Sequence, residues 1–252
     1  MKEYEDLYNY EWDFTPDQLR IMEEKWQYIE KILPSDIQSI IDIGCGNGFF
    51  TNKFAEKFDT IGVDINEQNL KKIRTRTINS LAHELDLPEN SIDLVFSSEM
   101  LEHLPNQEVL LKTVEVMKKI AKKYILISVP NDENLKSNMV KCGVCGFEFN
   151  SSFHNFSFNK NRLMELFKGF KLLHYNTIGP LYRPFKHDWL INIKHHIAHN
   201  WTVPNKDVNC PKCGNKENFV HERNLVSKMC YGINFFISRK KPAWIVMLLK
   251  KG

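Results

Sequence analysis

Apolar positions along the chain change their period several times. Over TPDQLRIMEEKWQYIEKIL (15–33) they recur at helical spacing, opened by a Thr-Pro pair and stopped by Pro34. After that, short continuous apolar runs take turns with amphipathic stretches. SIIDIG, DTIGVDI, SIDLVFSS and YILISVP read as buried strands. GFFTNKFAEKF, NEQNLKKIRTRT and NQEVLLKTVEVMKKIAKK read as helices, the second capped by Asn66. Strands that are apolar on both faces and alternate with helices predict a parallel sheet covered on both sides. The regularity breaks after Pro130. It returns in the helical NKNRLMELFKGF and the strand KLLHYNTIG, and again in the strand PAWIVMLLKK. Two irregular stretches separate these pieces and read as insertions into one α/β domain.

Composition changes this picture little. A length of 252 residues suits one large domain or a domain with an insertion. The net charge is +3, and Lys and Glu are interleaved, which describes a solvated surface and argues against nucleic acid as a partner. MKEYEDLYNY is acidic and aromatic, unlike a secretory leader. No apolar run approaches the roughly 20 residues of a membrane span, so the expectation is a cytoplasmic protein without one.

The cysteines add a metal site. Cys45 and Cys230 stand apart, but KCGVCG and NCPKCG each hold a Cys-x-x-Cys-Gly unit. In a reducing compartment such pairs suggest metal rather than disulfides. The unit turns two thiolates toward one ion, so Cys142, Cys145, Cys210 and Cys213 are expected to share a structural zinc. Neither pair opens a helix in a thioredoxin-like unit, which argues against a redox role.

IIDIGCGNGFF (40–50) carries the cofactor chemistry. Gly44, Gly46 and Gly48 follow a strand and precede a helix, where glycines allow a tight turn and a ligand's close approach. The G-x-G-x-G spacing departs from the dinucleotide fingerprint. Instead DIGCGNG resembles the first motif of the class I S-adenosylmethionine-dependent methyltransferases. GVDIN (62–66) and LDLPENSIDLVFSSEMLEHLP (85–105) resemble two further motifs in the family's order, so the likeness runs over 37–130. It implies a doubly wound, seven-stranded, mostly parallel α/β sheet with C-terminal zinc-ribbon-like insertions. The organisation expected is an N-terminal helical lid (1–36), the cofactor-binding core (37–130), a first insertion (131–158), a core helix and strand (159–180), a second insertion (181–241) and a final core strand (242–252).

The resemblance also assigns roles. Gly44, Gly46 and Gly48 would line the methionine part of S-adenosylmethionine, and Asp42 would hold the turn or the ammonium. Asp64 would bind the ribose, Ile65 would pack on adenine, and Ser97 would sit beneath the sulfonium. Where the family carries an acid for the adenine amino group, Leu81 stands here; Ala82 and His83 would offer backbone contacts, with Glu84 as the nearest acid.

SSEMLEHL offers the acceptor chemistry. On a helix, Glu99, Glu102 and His103 would share one face. With His154 they resemble the Glu-x-x-Glu-His plus His set of small-RNA 3′-end 2′-O-methyltransferases, which hold a divalent metal. Ubiquinone-biosynthesis O-methyltransferases carry a similar cluster. Two mechanisms stay open: a divalent ion on these four residues, or His103 or His154 as general base oriented by the carboxylates. VPN, a CxxC and a later His-x-Phe are similar to methyltransferases of surface-glycan and secondary-metabolite assembly. The leading acceptor is therefore a small molecule such as a sugar or glycan precursor, methylated on oxygen. An RNA 2′-O-methyltransferase and a non-catalytic cofactor-binding zinc module are the alternatives. Two features are softer. His195 and His199 would share a helix face in HDWLINIKHHIAHN. Tyr4, Tyr8, Tyr10, Trp12 and Phe14 would close a lid over the cofactor.

Overall fold

The computed structural model describes residues 14–204 and 208–252; most of the aromatic segment read as a lid, with Tyr4, Tyr8, Tyr10 and Trp12, lies outside them. Two compact units are present. The first comprises residues up to Asn131, Phe158–Pro180 and Ala243–Gly252, and the second Asp132–Ser157 and Leu181–Pro242.

The strands are β1 (Ser39–Ile43), β2 (Asp59–Asp64), β3 (Arg76–Asn79), β4 (Ile92–Ser98), β5 (Ala121–Pro130), β6 (Met139–Lys141), β7 (Glu148–Asn150), β8 (Phe170–Tyr182) and β9 (Lys241–Lys251). The helices are α1 (Pro16–Ile32), α2 (Phe49–Ala55), α3 (Glu67–Leu70), α4 (Gln107–Ile120), α5 (Lys160–Leu166), α6 (Asp188–Asn192) and α7 (Leu225–Ile237). A seven-stranded sheet in the order β3-β2-β1-β4-β5-β9-β8 carries the first unit. β1 to β5 pair in parallel, and β9 runs antiparallel to β5. The order reverses beside β1, which places a ligand crevice at the carboxyl ends of β1 and β4.

The apolar runs become the centre of this sheet. Ile40, Ile41, Ile43, Leu94, Val95 and Phe96 are fully buried, so both faces of β1 and β4 are covered. α1 begins in a capping box between Thr15 and Gln18. Its Trp26 meets Phe54 edge-to-face at 5.1 Å, and Phe54 meets Phe96 at 5.0 Å. α4 is capped by Asn106 and buries Leu110, Thr113, Val114, Met117 and Ile120, the stripe its spacing predicts.

Edges differ from expectation. Of NEQNLKKIRTRT only Glu67–Leu70 is helical, and Arg76–Asn79 joins the sheet as β3. Thr75 Oγ1 donates to the Thr60 carbonyl at 2.8 Å, and the β-branched Thr77 and Ile78 suit an edge strand. Pairing with β2 outweighs the helical pattern of the lysines. Likewise the Ala-Lys-Lys after α4 opens β5 instead of extending the helix.

The second unit is built from small pieces. β6 and β7 form an antiparallel hairpin, and Val140, Cys142, Phe149 and Cys210 make a small core. Phe185, Leu190, Ile191 and Cys230 make another. α6 runs into a π-helical turn, Ile193–Ile197. There His195 is buried and stacked on Trp201 at 4.3 Å. Burial, then the charge of Lys194, pushes its pKa down to about 3, so it is neutral near pH 7. His199 falls after the turn with a φ of +48°. The expected helix face shared by His195 and His199 is not formed.

Candidate active site

The glycine turn leaves β1 with three left-handed residues: φ is +76° at Gly44, +52° at Gly46 and +81° at Gly48. Two of these glycines are required by packing as well. A Cβ on Gly44 would lie 2.3 Å from Met100 Cγ, and one on Gly48 2.5 Å from Ile73 Cγ1. Gly46 differs, because a Cβ there would meet nothing within 4 Å among the described residues. The turn is tied to β2 through the N–H groups of Gly44 and Cys45, which donate to the Val63 carbonyl at 2.8 and 3.0 Å.

Asp64 ends β2 against this turn. Its Oδ2 accepts the Gly46 N–H at 2.8 Å and its Oδ1 the Asn66 N–H at 2.9 Å. The Ile65 N–H also bonds this carboxylate, and an ionised carboxylate, with about four lone-pair sites, still has acceptor capacity for a further donor. Burial raises the Asp64 pKa, against the backbone donors that lower it. Asp42 is buried, and its Oδ2 accepts from Thr51 Oγ1 of α2 at 2.6 Å. Burial lifts its pKa to about 7, with Asp64 adding to the rise. Asp42 therefore braces the turn against α2. A positive ligand group nearby would favour its ionised form.

Asn79 was not foreseen. Its Nδ2 donates to the carbonyls of Asp64 and Ile65 at 3.1 and 2.9 Å, fixing the end of β2. In the sequence it is an isolated Asn two residues past the stretch read as a helix. Ala82, His83 and Glu84 form a single 3-10 turn introduced by Leu81. Ser97 is buried, and its hydroxyl donates to the Ile43 carbonyl at 3.0 Å, which ties β4 to β1.

The helix face expected of Glu99, Glu102 and His103 is absent. Glu99 follows β4 with a φ of +55°, a costly conformation for a non-glycine residue. The chain turns there before the 3-10 turn Leu101–His103. Glu102 is fully buried and His103 half-buried, side by side in that turn. Glu99 points elsewhere: its Oε1 accepts from Lys25 Nζ at 2.9 Å and lies 3.5 Å from Ser128 Oγ. The Lys25 side chain is 1% exposed and its ammonium sits 4.3 Å from the Trp244 ring centroid. Lys25 went unrecognised, although it lies between Met22, Trp26 and Ile29 on the apolar stripe of α1. A lysine at such a position signals a buried partner.

In the second unit, His154 Nδ1 lies 2.6 Å from Glu133 Oε2 with both side chains largely buried. A carboxylate so placed fixes an imidazole's tautomer and orientation.

The four cysteines come together in the second unit. Cys142 Sγ is 3.6 Å from Cys213 Sγ, and Cys145 Sγ is 3.6 Å from Cys210 Sγ. All four sulfurs lie within 4.8 Å of one another. A tetrahedral zinc with bonds of about 2.3 Å places its sulfurs roughly 3.8 Å apart, so the cluster fits that ion. Both Cys pairs make the same turn. The Gly146 and Gly214 N–H groups donate to the carbonyls of Cys142 and Cys210, with φ of +72° and +71°. Burial opposes a Cys142 thiolate, but the N–H groups of Cys145 and Val144 outweigh it and bring the pKa down to about 6.

Residues 41–121 match the family model described as "Methyltransferase domain". A ubiquinone biosynthesis O-methyltransferase of Idiomarina loihiensis is 34% identical over 86 residues, 30% of this chain and 35% of that protein. The aligned part is thus about a third of that relative. An uncharacterized protein of Methanocaldococcus jannaschii is 28% identical over 204 residues, 74% of this chain and 83% of that one. The crystal structure of a SAM-dependent methyltransferase from Archaeoglobus fulgidus superposes with a TM-score of 0.56 at 22% identity, covering 91% of this chain and 94% of that one. Residues 41–121 thus match a methyltransferase domain, and the seven-stranded sheet that carries them has the class I methyltransferase fold.

Proposed function

We propose that the chain moves the methyl group of S-adenosylmethionine to a hydroxyl of a small molecule, with a sugar or glycan precursor as the leading acceptor class. The observation that carries this reading is the Gly46–Asp64 contact. It sets an acid with spare acceptor capacity beside the one glycine of the turn whose missing side chain leaves open space. Asp64 would take the ribose hydroxyls, Gly44 to Gly48 would border the methionine part, and Ile65, Ala82 and His83 would flank the adenine. The bound cofactor supplies an electrophilic methyl. The chain's own task is to align the acceptor and to receive its proton. Asp64→Ala is expected to weaken S-adenosylmethionine binding, measured by calorimetry, by about 1.5–3 kcal/mol for each lost hydrogen bond. Unchanged affinity would remove Asp64 from the site.

His103 and His154 are the candidate bases, and Glu102 beside His103 is the candidate orienting group. Glu99 is held by Lys25, so its part is positioning. In the base reading, His103→Ala or His154→Ala lowers turnover by about 10²–10⁴-fold, and mild chelation that spares the cysteine site changes nothing. In the divalent-ion reading, the same chelation abolishes turnover and added magnesium or manganese restores it. Turnover near wild type with alanine at 99, 102, 103 and 154 together would defeat both.

A further inference from the structure

α7 is built inside out. Leu225, Met229, Ile233 and Phe236 recur at i, i+4, i+8 and i+11, so they line one face, and they are 73%, 58%, 38% and 85% exposed. Tyr231, Phe235 and Ile237 are exposed beside them. The residues α7 buries are Ser227, Cys230 and Asn234, which are small or polar. A helix that only packed onto its own unit would have these two sets exchanged.

The surroundings say what covers that face. Arg223 precedes α7, Lys228 lies within it, and Arg239, Lys240 and Lys241 follow it, while no Asp or Glu occurs from 223 to 252. Arg223, Lys228, Arg239 and Lys240 are exposed. Glu222 is exposed beside Arg223, so the flanking charge is an excess of positive over negative. An apolar face flanked by such an excess complements an anionic lipid surface, where headgroups meet the charges and acyl chains take the apolar side chains. A second copy docking through this face would bring like charges together.

With 13 residues, α7 falls well short of the roughly 20 needed to cross a bilayer, so it would lie in the plane of the interface. Its C-terminal end is held in place. Arg183 donates to the Phe235 carbonyl at 2.9 Å and to the Ser238 carbonyl, and its guanidinium lies 4.5 Å from the Phe235 ring. Asn234 and Ser238 donate to the Pro184 carbonyl at 3.2 and 2.7 Å. The apolar face is therefore presented by a fixed helix.

We infer that α7 is an interfacial helix that docks the protein onto anionic membrane surfaces, with Leu225, Met229, Ile233 and Phe236 entering the acyl boundary and the flanking Arg and Lys meeting the headgroups. The test is co-sedimentation with vesicles of phosphatidylcholine containing about a quarter phosphatidylglycerol, against phosphatidylcholine alone. The full chain is expected to pellet with the anionic vesicles, and less so as salt rises. Phe236→Ser with Met229→Ser is expected to weaken this at least about tenfold. Arg239→Glu with Lys240→Glu is expected to weaken it by a similar factor or more and to flatten the salt dependence. All four positions are exposed, so circular dichroism and the denaturation midpoint should match wild type. The inference is overturned by a wild-type chain that ignores anionic vesicles, or by folded variants that bind as wild type does. It is equally overturned by a dimer that Phe236→Ser dissociates, which would identify a second copy as the occupant, or by saturable binding to an acidic polypeptide without vesicle binding.

Discussion

One zinc per chain is the expected metal content of the purified protein, and Cys210→Ser is expected to remove it and unfold the surrounding part of the second unit. The four sulfurs already sit at the spacing a tetrahedral ion needs. Both turns spend a left-handed glycine and a backbone hydrogen bond on aiming their thiols. The apolar core around them is only Val140, Cys142, Phe149 and Cys210, with Cys145, Phe153, Val208 and Phe219 at its margin. So little buried surface leaves metal binding as the main source of stability there. Binding energies of about 10–16 kcal/mol at such sites are folding energy when no preformed site exists in the unfolded chain. Loss of one thiolate should therefore appear as lost zinc, lost hydrogen-exchange protection over 139–150 and 208–221, and greater susceptibility to proteolysis. Elemental analysis without zinc, or disulfides within the Cys142–Cys145 and Cys210–Cys213 pairs, would refute the assignment.

The second large effect is expected inside the first unit. Glu99→Leu leaves the Lys25 ammonium, 1% exposed, without its carboxylate. Removing one partner of a fully buried pair costs about 3–5 kcal/mol, because the remaining charge keeps its desolvation penalty; the Glu99 side chain is 30% exposed, so solvent screening brings the loss toward or below the low end of that range. The Trp244 ring at 4.3 Å offsets part of it. The double variant Lys25→Met with Glu99→Leu is expected to recover most of the loss, since both charges go and apolar volume replaces them. Chemical denaturation of the two singles and the double closes the cycle. A Glu99→Leu protein as stable as wild type would show that the pair contributes nothing to the fold. If the double loses activity while regaining stability, Glu99 has a positioning role beyond its ion pair.

The local code was sufficient for much of this protein. Short, β-branched apolar runs such as SIIDIG and SIDLVFSS suit strands buried on both faces, and the stripe of α4 was readable residue by residue. The glycine turn and Asp64 were legible because the conformation and the acid are demanded within a short stretch of chain. The two Cys-x-x-Cys-Gly units were legible for the same reason. Which other features the sequence left open follows from distance along the chain. RTIN became a strand because β2 offered it an edge. EMLEHL forms only a 3-10 turn: Glu99 takes a left-handed conformation, and its carboxylate pairs with Lys25, 74 positions away. Thr51, Met100 and Ile73, which brace or fill the glycine turn, have no local pattern that announces them. α7 carries the same lesson in reverse. It falls in a stretch read as an irregular insertion, and only the tertiary structure shows a helix there, with its small polar side facing in and its apolar side facing out. Periodicity fixes which residues share a face; packing alone decides what that face meets.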